Sequence, residues 1–171
     1  MAGLTLKVTT QDVKKVETDA LVVGFFEDVR PLKGLAGELD WLLCGALSRL
    51  LIEKRLKGAI GDVALLTSQG KLPAAKIFLV GLGPRSGFSV PLLRSAARTA
   101  AVSATGAGIS RAAMEFLQPQ DASYDDSLPA IRDGLAEGSG GRSLSVSLLA
   151  RDTAVYDRLT RLLASSPKAG A

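Results

Sequence analysis

The sequence predicts a three-layer α/β/α domain built on a mixed, mostly parallel β-sheet. Short apolar segments alternate along the chain with longer segments of helical periodicity, which is the pattern of successive β–α–β units. In addition, residues 60–84 contain two buried-strand patterns followed by a glycine-rich loop. Because ligands of such sheets bind beyond the carboxyl ends of the strands, this loop is also the first place to look for a function.

Six strands are predicted. In the first, Leu4, Leu6 and Val8 alternate with polar residues, as in an edge or half-buried strand. The segments 63–67 and 76–82 are short, apolar and bounded by glycine and proline, which favours strands covered on both faces. The remaining three strands are predicted at residues 20–26, 111–117 and 144–150.

Four helices are predicted between and after these strands. A long first helix covers residues 35–54 and carries a stripe of leucines. The second begins after Ser89, a good N-cap residue, and continues through an alanine-rich stretch to Gly106. Its small residues indicate close packing on the sheet. The other two helices are predicted at residues 128–136 and 152–164.

The length of the chain predicts one domain. A chain of 171 residues, 47% of them hydrophobic, supplies one sizeable core and is short for two. We expect the domain to cover residues 1–164 and residues 165–171 to form a flexible tail. No apolar run approaches the roughly 18 residues that span a bilayer, and the first ten residues lack the features of a secretory signal. A cytoplasmic protein without a membrane partner is therefore expected.

The residue inventory offers little for catalysis. The chain has no histidine, which removes the commonest general base and the usual zinc ligand. Its single cysteine, Cys44, cannot form an internal disulfide, and the helical pattern around it predicts a small buried side chain rather than a nucleophile. We expect no catalytic residue, no metal ligand and no cofactor.

The net charge of +4 raises the question of an anionic partner. The basic residues are scattered, and aromatic residues are too few to interleave with them as a base-stacking platform. Solvated helix faces are therefore the favoured interpretation, and contact with DNA is a weaker alternative. The arginines that recur on predicted helices are Arg94, Arg98, Arg151, Arg158 and Arg161.

Two glycine-containing loops follow predicted strands, at residues 27–37 and 81–87. Backbone N–H groups at a helix start, with glycines that allow close approach, form a site for an anion. Arg85 adds a guanidinium suited to a phosphate. Glycines after a strand also serve turn geometry alone, and the residues by themselves favour that interpretation. The candidate ligand-binding residues of the two loops are Gly34, Gly37, Gly81, Gly83, Arg85 and Gly87.

Several segments, taken in order and spacing, resemble a known family. They are Thr-Asp-Ala-Leu-Val-Val-Gly-Phe-Phe-Glu-Asp at 18–28, Gly-Ala-Leu at 45–47, Lys-Gly at 57–58, Gly-Asp at 61–62 and Val-Gly-Leu-Gly at 80–83. Together they resemble the N-terminal domain of the leucyl aminopeptidase family of metallopeptidases. The resemblance covers most of the chain and is densest from Asp19 to about Ala104.

The resemblance implies a protein without peptidase chemistry of its own. In that family the two-metal centre belongs to a separate C-terminal domain, and no segment of this sequence matches its ligand-bearing motif. We therefore expect no aminopeptidase activity from this polypeptide alone. The family's N-terminal domain is an accessory in hexamer assembly and, in some bacterial members, in DNA binding.

That accessory domain is similar in fold to macro domains, which bind ADP-ribose. The analogy implies a macro-domain-like fold, in which Asp12 accepts a hydrogen bond from the adenine amino group and residues 83–87 surround the phosphates. The sequence departs from the macro-domain pattern after its second predicted strand. There, Glu27 and Asp28 place negative charge where a pyrophosphate would sit.

Three functions follow from these observations, in decreasing order of support. The first is a non-catalytic, stand-alone relative of the aminopeptidase N-terminal domain that acts in assembly or regulation through its surface. The second is a small-ligand module for ADP-ribose or another nucleotide-like anion at the glycine loops, and the third is a DNA-binding accessory. For the first, self-association or a protein partner is expected. Trp41 on the long helix is the place for such a contact, although packing of Trp41 against the sheet is the more common outcome.

Overall fold

The computed structural model describes residues 3–166, which form one six-stranded sheet with helices on both faces. The strands are β1 (Leu4–Thr9), β2 (Ala20–Phe25), β3 (Val63–Thr67), β4 (Lys76–Gly81), β5 (Arg111–Glu115) and β6 (Leu144–Leu149). The helices are α1 (Gly34–Leu42), α2 (Ala46–Ile52), α3 (Val90–Gly106), α4 (Tyr124–Ser139) and α5 (Thr153–Ser165). A single 3₁₀ turn covers Arg85–Gly87.

The strand order across the sheet is β1-β6-β5-β2-β4-β3. Every neighbouring pair is parallel except β3 with β4, which is antiparallel. The prediction of a three-layer α/β/α fold with a mixed, mostly parallel sheet is therefore confirmed. Because β1, β6, β5, β2 and β4 run the same way, their carboxyl ends meet at one edge of the sheet.

Two hydrophobic cores cover the two faces of the sheet. Successive residues of a strand point to opposite faces, so Val22 and Phe78 pack with α3, α4 and α5. Leu21 and Ile77 instead pack with α1 and α2. Strands β2 and β4 are buried along nearly their whole length, which explains why they have no polar alternation in the sequence.

The prediction that β3 is covered on both faces is wrong. β3 is the outermost strand and pairs with β4 alone. Leu65, at the middle of β3, is 51% exposed, so no helix of the described residues covers that side of the strand. An apolar run of this length is equally compatible with a central and an edge strand, and only the sheet order distinguishes them.

The single long helix predicted at residues 35–54 is two helices in the structure. The chain turns between α1 and α2 at Cys44 (φ 55°) and Gly45 (φ 80°), both in the left-handed region. The N–H of Gly45 donates to the carbonyl of Asp40 at 2.8 Å, a helix-terminating contact. The Asp40 side chain then accepts the N–H of Ser48 at 2.9 Å, which caps the first turn of α2.

This turn also overturns the prediction for Cys44. The cysteine lies outside both helices and is exposed, and Lys71 Nζ approaches its Sγ to 3.4 Å. The leucines of the predicted stripe behave as expected, since Leu39 and Leu47 are buried. The apolar periodicity continues across the turn, so periodicity alone does not reveal the break.

Helix α4 begins at Tyr124, four residues before its predicted start at 128. Ser123 occupies the N-cap position, and its side chain accepts the N–H of Asp126 at 3.1 Å. The predicted polar loop at 118–127 is correspondingly shorter. Ser89 also occupies the N-cap position of α3, as predicted, but its side chain makes no capping hydrogen bond.

Helix α4 packs on α3 through two glycines. A Cβ atom on Gly134 would lie 2.3 Å from the carbonyl oxygen of Arg94, and one on Gly138 would lie 2.3 Å from that of Arg98. The facing positions on α3 are Ala97 and Ala101. The small residues of α3 therefore serve a close helix–helix contact as well as the contact with the sheet.

Helix α4 ends at Ser139, three residues after its predicted end at 136, and the remaining boundaries agree with the sequence within one or two residues. Strand β2 ends at Phe25 and β5 at Glu115. Helix α5 includes Ser165, the first residue of the predicted tail. Residues 167–171 lie outside the described residues, so the limits of the domain stay a prediction. No helix within residues 3–166 is long and apolar enough to cross a membrane.

Replacing Gly138 with Ala tests the α3–α4 contact. Alanine in place of glycine inside a helix normally stabilises by about 1 kcal/mol. Here we expect a loss of about 1–3 kcal/mol in the free energy of unfolding, because the new Cβ has no room beside the Arg98 carbonyl. Gly106→Ala is the matched control, since nothing lies within 4 Å of that position. Urea unfolding measures both, and a stabilised Gly138→Ala protein would contradict the close contact.

Candidate functional site

A groove runs along the edge of the sheet where the parallel strands end. It consists of three adjacent cavities of about 350, 180 and 470 Å³, here called the outer, small and wide cavities. The outer cavity lies between the segment after β5 and the start of α5. The small cavity lies between the two glycine loops, and the wide cavity lies beside the segment after β1. Together they form the strand-end groove.

The structure brings three of the predicted site residues to this groove. Gly34 and Arg85 line the small cavity, and Gly34 also lines the wide cavity together with Asp12. The two glycine loops and the Asp12 segment therefore converge, as the sequence argument requires. Their role in binding a ligand stays a prediction.

The other four predicted glycines have structural roles: Gly37 lies in α1, Gly81 ends β4, and the other two lie in the loop that follows β4. A Cβ atom on Gly37 would lie 2.5 Å from the carbonyl oxygen of Leu32, and one on Gly81 would lie 2.1 Å from that of Ala59. Gly83 has φ +72°, and its N–H donates to the Gly58 carbonyl at 2.8 Å. The fourth glycine ends the 3₁₀ turn. These glycines, Gly37, Gly81, Gly83 and Gly87, do not line the groove.

Aromatic and aliphatic side chains narrow the small cavity without filling it. Phe25 and Phe26 both line it, and the Phe26 ring packs edge-on against Phe88 with the centroids 5.2 Å apart. A Cβ atom on Gly24 would lie 2.8 Å from Leu117 and 2.9 Å from Leu82. A larger residue at position 24 would have to displace the ends of these two leucine side chains, so the cavity beside them is suited to a small group.

Carboxylates of the chain already accept N–H groups of the loops around the groove. Asp28 Oδ1 accepts the N–H of Arg85 at 2.9 Å, in the second glycine loop. Asp12 Oδ1 accepts the N–H of Lys14 at 2.8 Å, so its side chain closes a local turn. The negative charge of Asp28 noted in the sequence therefore also ties the two glycine loops together.

Glu115, the last residue of β5, lies at the centre of the groove. It is the one residue that lines all three cavities. Its carboxylate is close to the start of α1, since a Cβ atom on Gly34 would lie 3.3 Å from Oε1. The sequence argument missed this residue. The available signal was a charged residue that ends an apolar strand at the edge where ligands bind.

Burial raises the pKa of Glu115 above its ordinary value, because the partly buried groove disfavours the charged form. The negative charge of Glu38 acts in the same direction. The nearby N–H of Leu35 and the positive charge of Arg151 lower the pKa and only partly offset the burial. The fold thus holds the Glu115 carboxyl group in surroundings that disfavour its charged form.

A second candidate surface lies away from the groove. Trp41 is 80% exposed, so the expectation that it packs against the sheet is wrong. Its neighbours form an open recess of about 720 Å³ on the α1–α2 layer. We call this surface the Trp41 face; it is formed by Pro31, Leu32, Gly37, Asp40, Trp41, Leu42, Cys44 and Gly45.

Within residues 3–166 no group of three or more histidine, cysteine, aspartate or glutamate side chains is arranged to hold a metal ion. The five arginines considered for DNA contact are scattered along the sequence, and two of them form ion pairs with carboxylates of the chain. Arg94 contacts Glu137, and Arg158 contacts Asp125.

The strand order and the groove at the strand ends define a macro-domain-like protein, and solved structures agree. The Oceanobacillus iheyensis macrodomain with MES bound has a TM-score of 0.72 and 14% identity, with 93% of this chain and 90% of that chain covered. The Trypanosoma brucei macrodomain in complex with ADP-ribose has a TM-score of 0.70 and 17% identity, covering 92% of this chain and 68% of that one. At these identities the similarity concerns the fold.

The chain belongs to the cytosol aminopeptidase family, whose N-terminal domain is matched by residues 22–139. The expected resemblance is therefore confirmed. A mutant of tomato leucine aminopeptidase has a TM-score of 0.71 and 23% identity, covering 95% of this chain and 36% of that one. The match to the family concerns its N-terminal domain only.

Curated relatives point to the same family. The probable cytosol aminopeptidase of Cyanothece sp. is 38% identical over 101 residues, which cover 59% of this chain and 20% of the relative. The probable cytosol aminopeptidase of Sulfurihydrogenibium sp. is 29% identical over 135 residues, which cover 79% of this chain and 27% of the relative. The chain thus spans about a fifth to a quarter of the length of these relatives.

Glu115→Gln is expected to stabilise the protein at neutral pH. The folded-state pKa of Glu115 is raised, so the folded protein binds this proton more tightly than the unfolded chain does. The stability linked to that proton is complete at acid pH and is lost as the pH rises through the folded-state pKa. The variant should therefore unfold at a higher temperature than wild type at neutral pH, with the difference closing as the pH falls towards 4.5, the ordinary pKa.

Thermal unfolding followed by circular dichroism across this pH range measures the difference. Glu38→Gln is the matched control, because Glu38 is exposed and its neutralisation should change the midpoint little. A Glu115→Gln protein less stable than wild type at neutral pH would mean that the Leu35 N–H and Arg151 outweigh the cost of burial.

Proposed function

We propose that this chain is a non-catalytic member of the cytosol aminopeptidase family that acts in assembly or regulation through the Trp41 face. The observation that carries the proposal is the 80% exposure of the chain's one tryptophan. Tryptophan is enriched at the centres of protein interfaces, where its large apolar surface is removed from water. Self-association is the contact that we expect, with another protein as the alternative.

The turn between α1 and α2 supports this proposal because it presents the Trp41 face rigidly. Asp40 terminates α1 through its carbonyl and caps α2 through its side chain. Trp41 directly follows Asp40, so its backbone is held by the same contacts. A tryptophan side chain has only two rotatable bonds, so its burial by a partner costs little conformational entropy for the area removed from water.

The absence of peptidase activity from this polypeptide is part of the proposal. The family match concerns the N-terminal domain, and the chain has no histidine to act as a general base or zinc ligand. A cytoplasmic location is proposed from the relatives, which are described as cytosol aminopeptidases.

The molar mass in solution tests the proposed self-association. We expect the wild-type chain to associate at high micromolar concentration in sedimentation velocity, and Trp41→Ala to shift the equilibrium towards monomer by about tenfold or more, since loss of a central aromatic contact costs about 2 kcal/mol. Val102→Ala is the matched control, because Val102 is an exposed apolar residue on α3, in the opposite layer. A wild-type chain that stays monomeric would contradict self-association.

A nucleotide-like anion bound in the strand-end groove is the second candidate function. Its support is the fold shared with a macrodomain in complex with ADP-ribose, together with the convergence of Asp12, Gly34 and Arg85 on the groove. The carboxylates of Asp28 and Glu115 weigh against it in the wild-type protein. DNA binding is the weakest candidate, because Arg94 and Arg158 are paired with carboxylates.

A further inference from the structure

Glu115 divides the strand-end groove into compartments. The outer cavity shares Arg151 with the wide cavity, and the wide cavity shares Gly34 with the small cavity. Glu115 lines all three, so a ligand that extends along the groove must pass its carboxylate. The side chain at position 115 therefore influences the binding of every ligand that occupies more than one of the three cavities.

The surroundings of the Glu115 carboxylate are those of an anion site. Lys33 and Arg85 line the small cavity, and Arg151 lines the other two. The N–H of Leu35 in the first turn of α1 acts on the carboxylate. The Leu35 N–H and Arg151 favour the charged form of Glu115, although the cost of burial outweighs them.

We propose that Glu115 acts as a built-in competitor for phosphoanions, so that the groove admits a pyrophosphate-like group only when this side chain is neutral. In the wild-type protein the carboxylate stands among the basic groups that would bind the anion and repels it by its own charge. Glu115 is thus the residue that decides which ligands the groove admits. This inference rests on the second candidate function and not on the assembly role.

Other carboxylates face the same groove but do not have this position. Asp12 and Glu38 line the wide cavity only, and both are exposed. Asp28 lines none of the three cavities, and its carboxylate accepts the Arg85 N–H. Water screens the exposed charges, whereas the partly buried Glu115 carboxylate is screened less.

Calorimetric titration with inorganic pyrophosphate at neutral pH tests the proposal. The wild-type protein is expected to show no saturable binding below about 1 mM, and Glu115→Gln to bind at least about tenfold more tightly, because removal of a like charge at close range is worth a factor of this size or more. Glu115→Ala serves as a second variant that also removes the side-chain bulk. Circular dichroism verifies that both variants fold.

Two further variants test whether the gain in pyrophosphate affinity arises at Glu115. Glu38→Gln changes the net charge by the same amount within the wide cavity and should bind pyrophosphate as the wild type does. Arg151→Ala placed on Glu115→Gln should lose most of the gained affinity, because Arg151 lines two of the three cavities.

The proposal is overturned if both folded Glu115 variants bind pyrophosphate no better than the wild type, or if Glu38→Gln gains as much as they do. A wild-type protein that binds as tightly as Glu115→Gln would overturn it as well. Titration of the same proteins with ADP-ribose tests the second candidate function separately from the role of Glu115. If the Glu115 variants bind pyrophosphate more tightly than the wild type but do not bind ADP-ribose, the role of Glu115 is supported and ADP-ribose is excluded as the ligand.

Discussion

Backbone N–H groups at the carboxyl edge of the sheet need acceptors, and in this protein the chain's own carboxylates supply them. Asp12 accepts an N–H in the segment after β1, and Asp28 accepts one in the second glycine loop. Asp62 accepts the N–H groups of Lys57 and Gly58 at 3.2 and 3.1 Å. These contacts are exposed or partly buried, and they fix the geometry of the loops by joining segments that are apart in the sequence or by closing local turns. The same contacts occupy donors that an anionic ligand would use.

This arrangement accounts for the balance between the candidate functions. The fold is similar to that of macrodomains, one of which is solved in complex with ADP-ribose. In this chain, however, Glu115 brings negative charge to the groove, and Phe25 and Phe26 at the end of β2 narrow it. The exposed tryptophan lies on the α1–α2 layer, outside the groove. For these reasons we propose the Trp41 face, rather than the groove, as the functional surface.

Errors in the sequence-based prediction of the fold arose where the local pattern is compatible with two structures. The leucine stripe continues through the turn at Cys44 and Gly45, because both helices face the same core. β3 has the composition of a central strand but lies at the edge. Ser123 with Asp126 is a helix-start signal that was available and was overlooked. Local sequence reports which residues avoid water, whereas turns and sheet edges depend on contacts between distant segments.

The sequence by itself determined the fold class, the family resemblance and most strand positions, because strands such as β2 and β4 are apolar over their whole length and are bounded by glycine and polar residues. It also identified Asp12, Gly34 and Arg85 as residues of one region. Only the tertiary structure decided that Trp41 is exposed and that Glu115 stands at the centre of the groove. Both depend on which segments pack together: no element within residues 3–166 covers Trp41, and β5 lies between β6 and β2, where its last residue meets the start of α1.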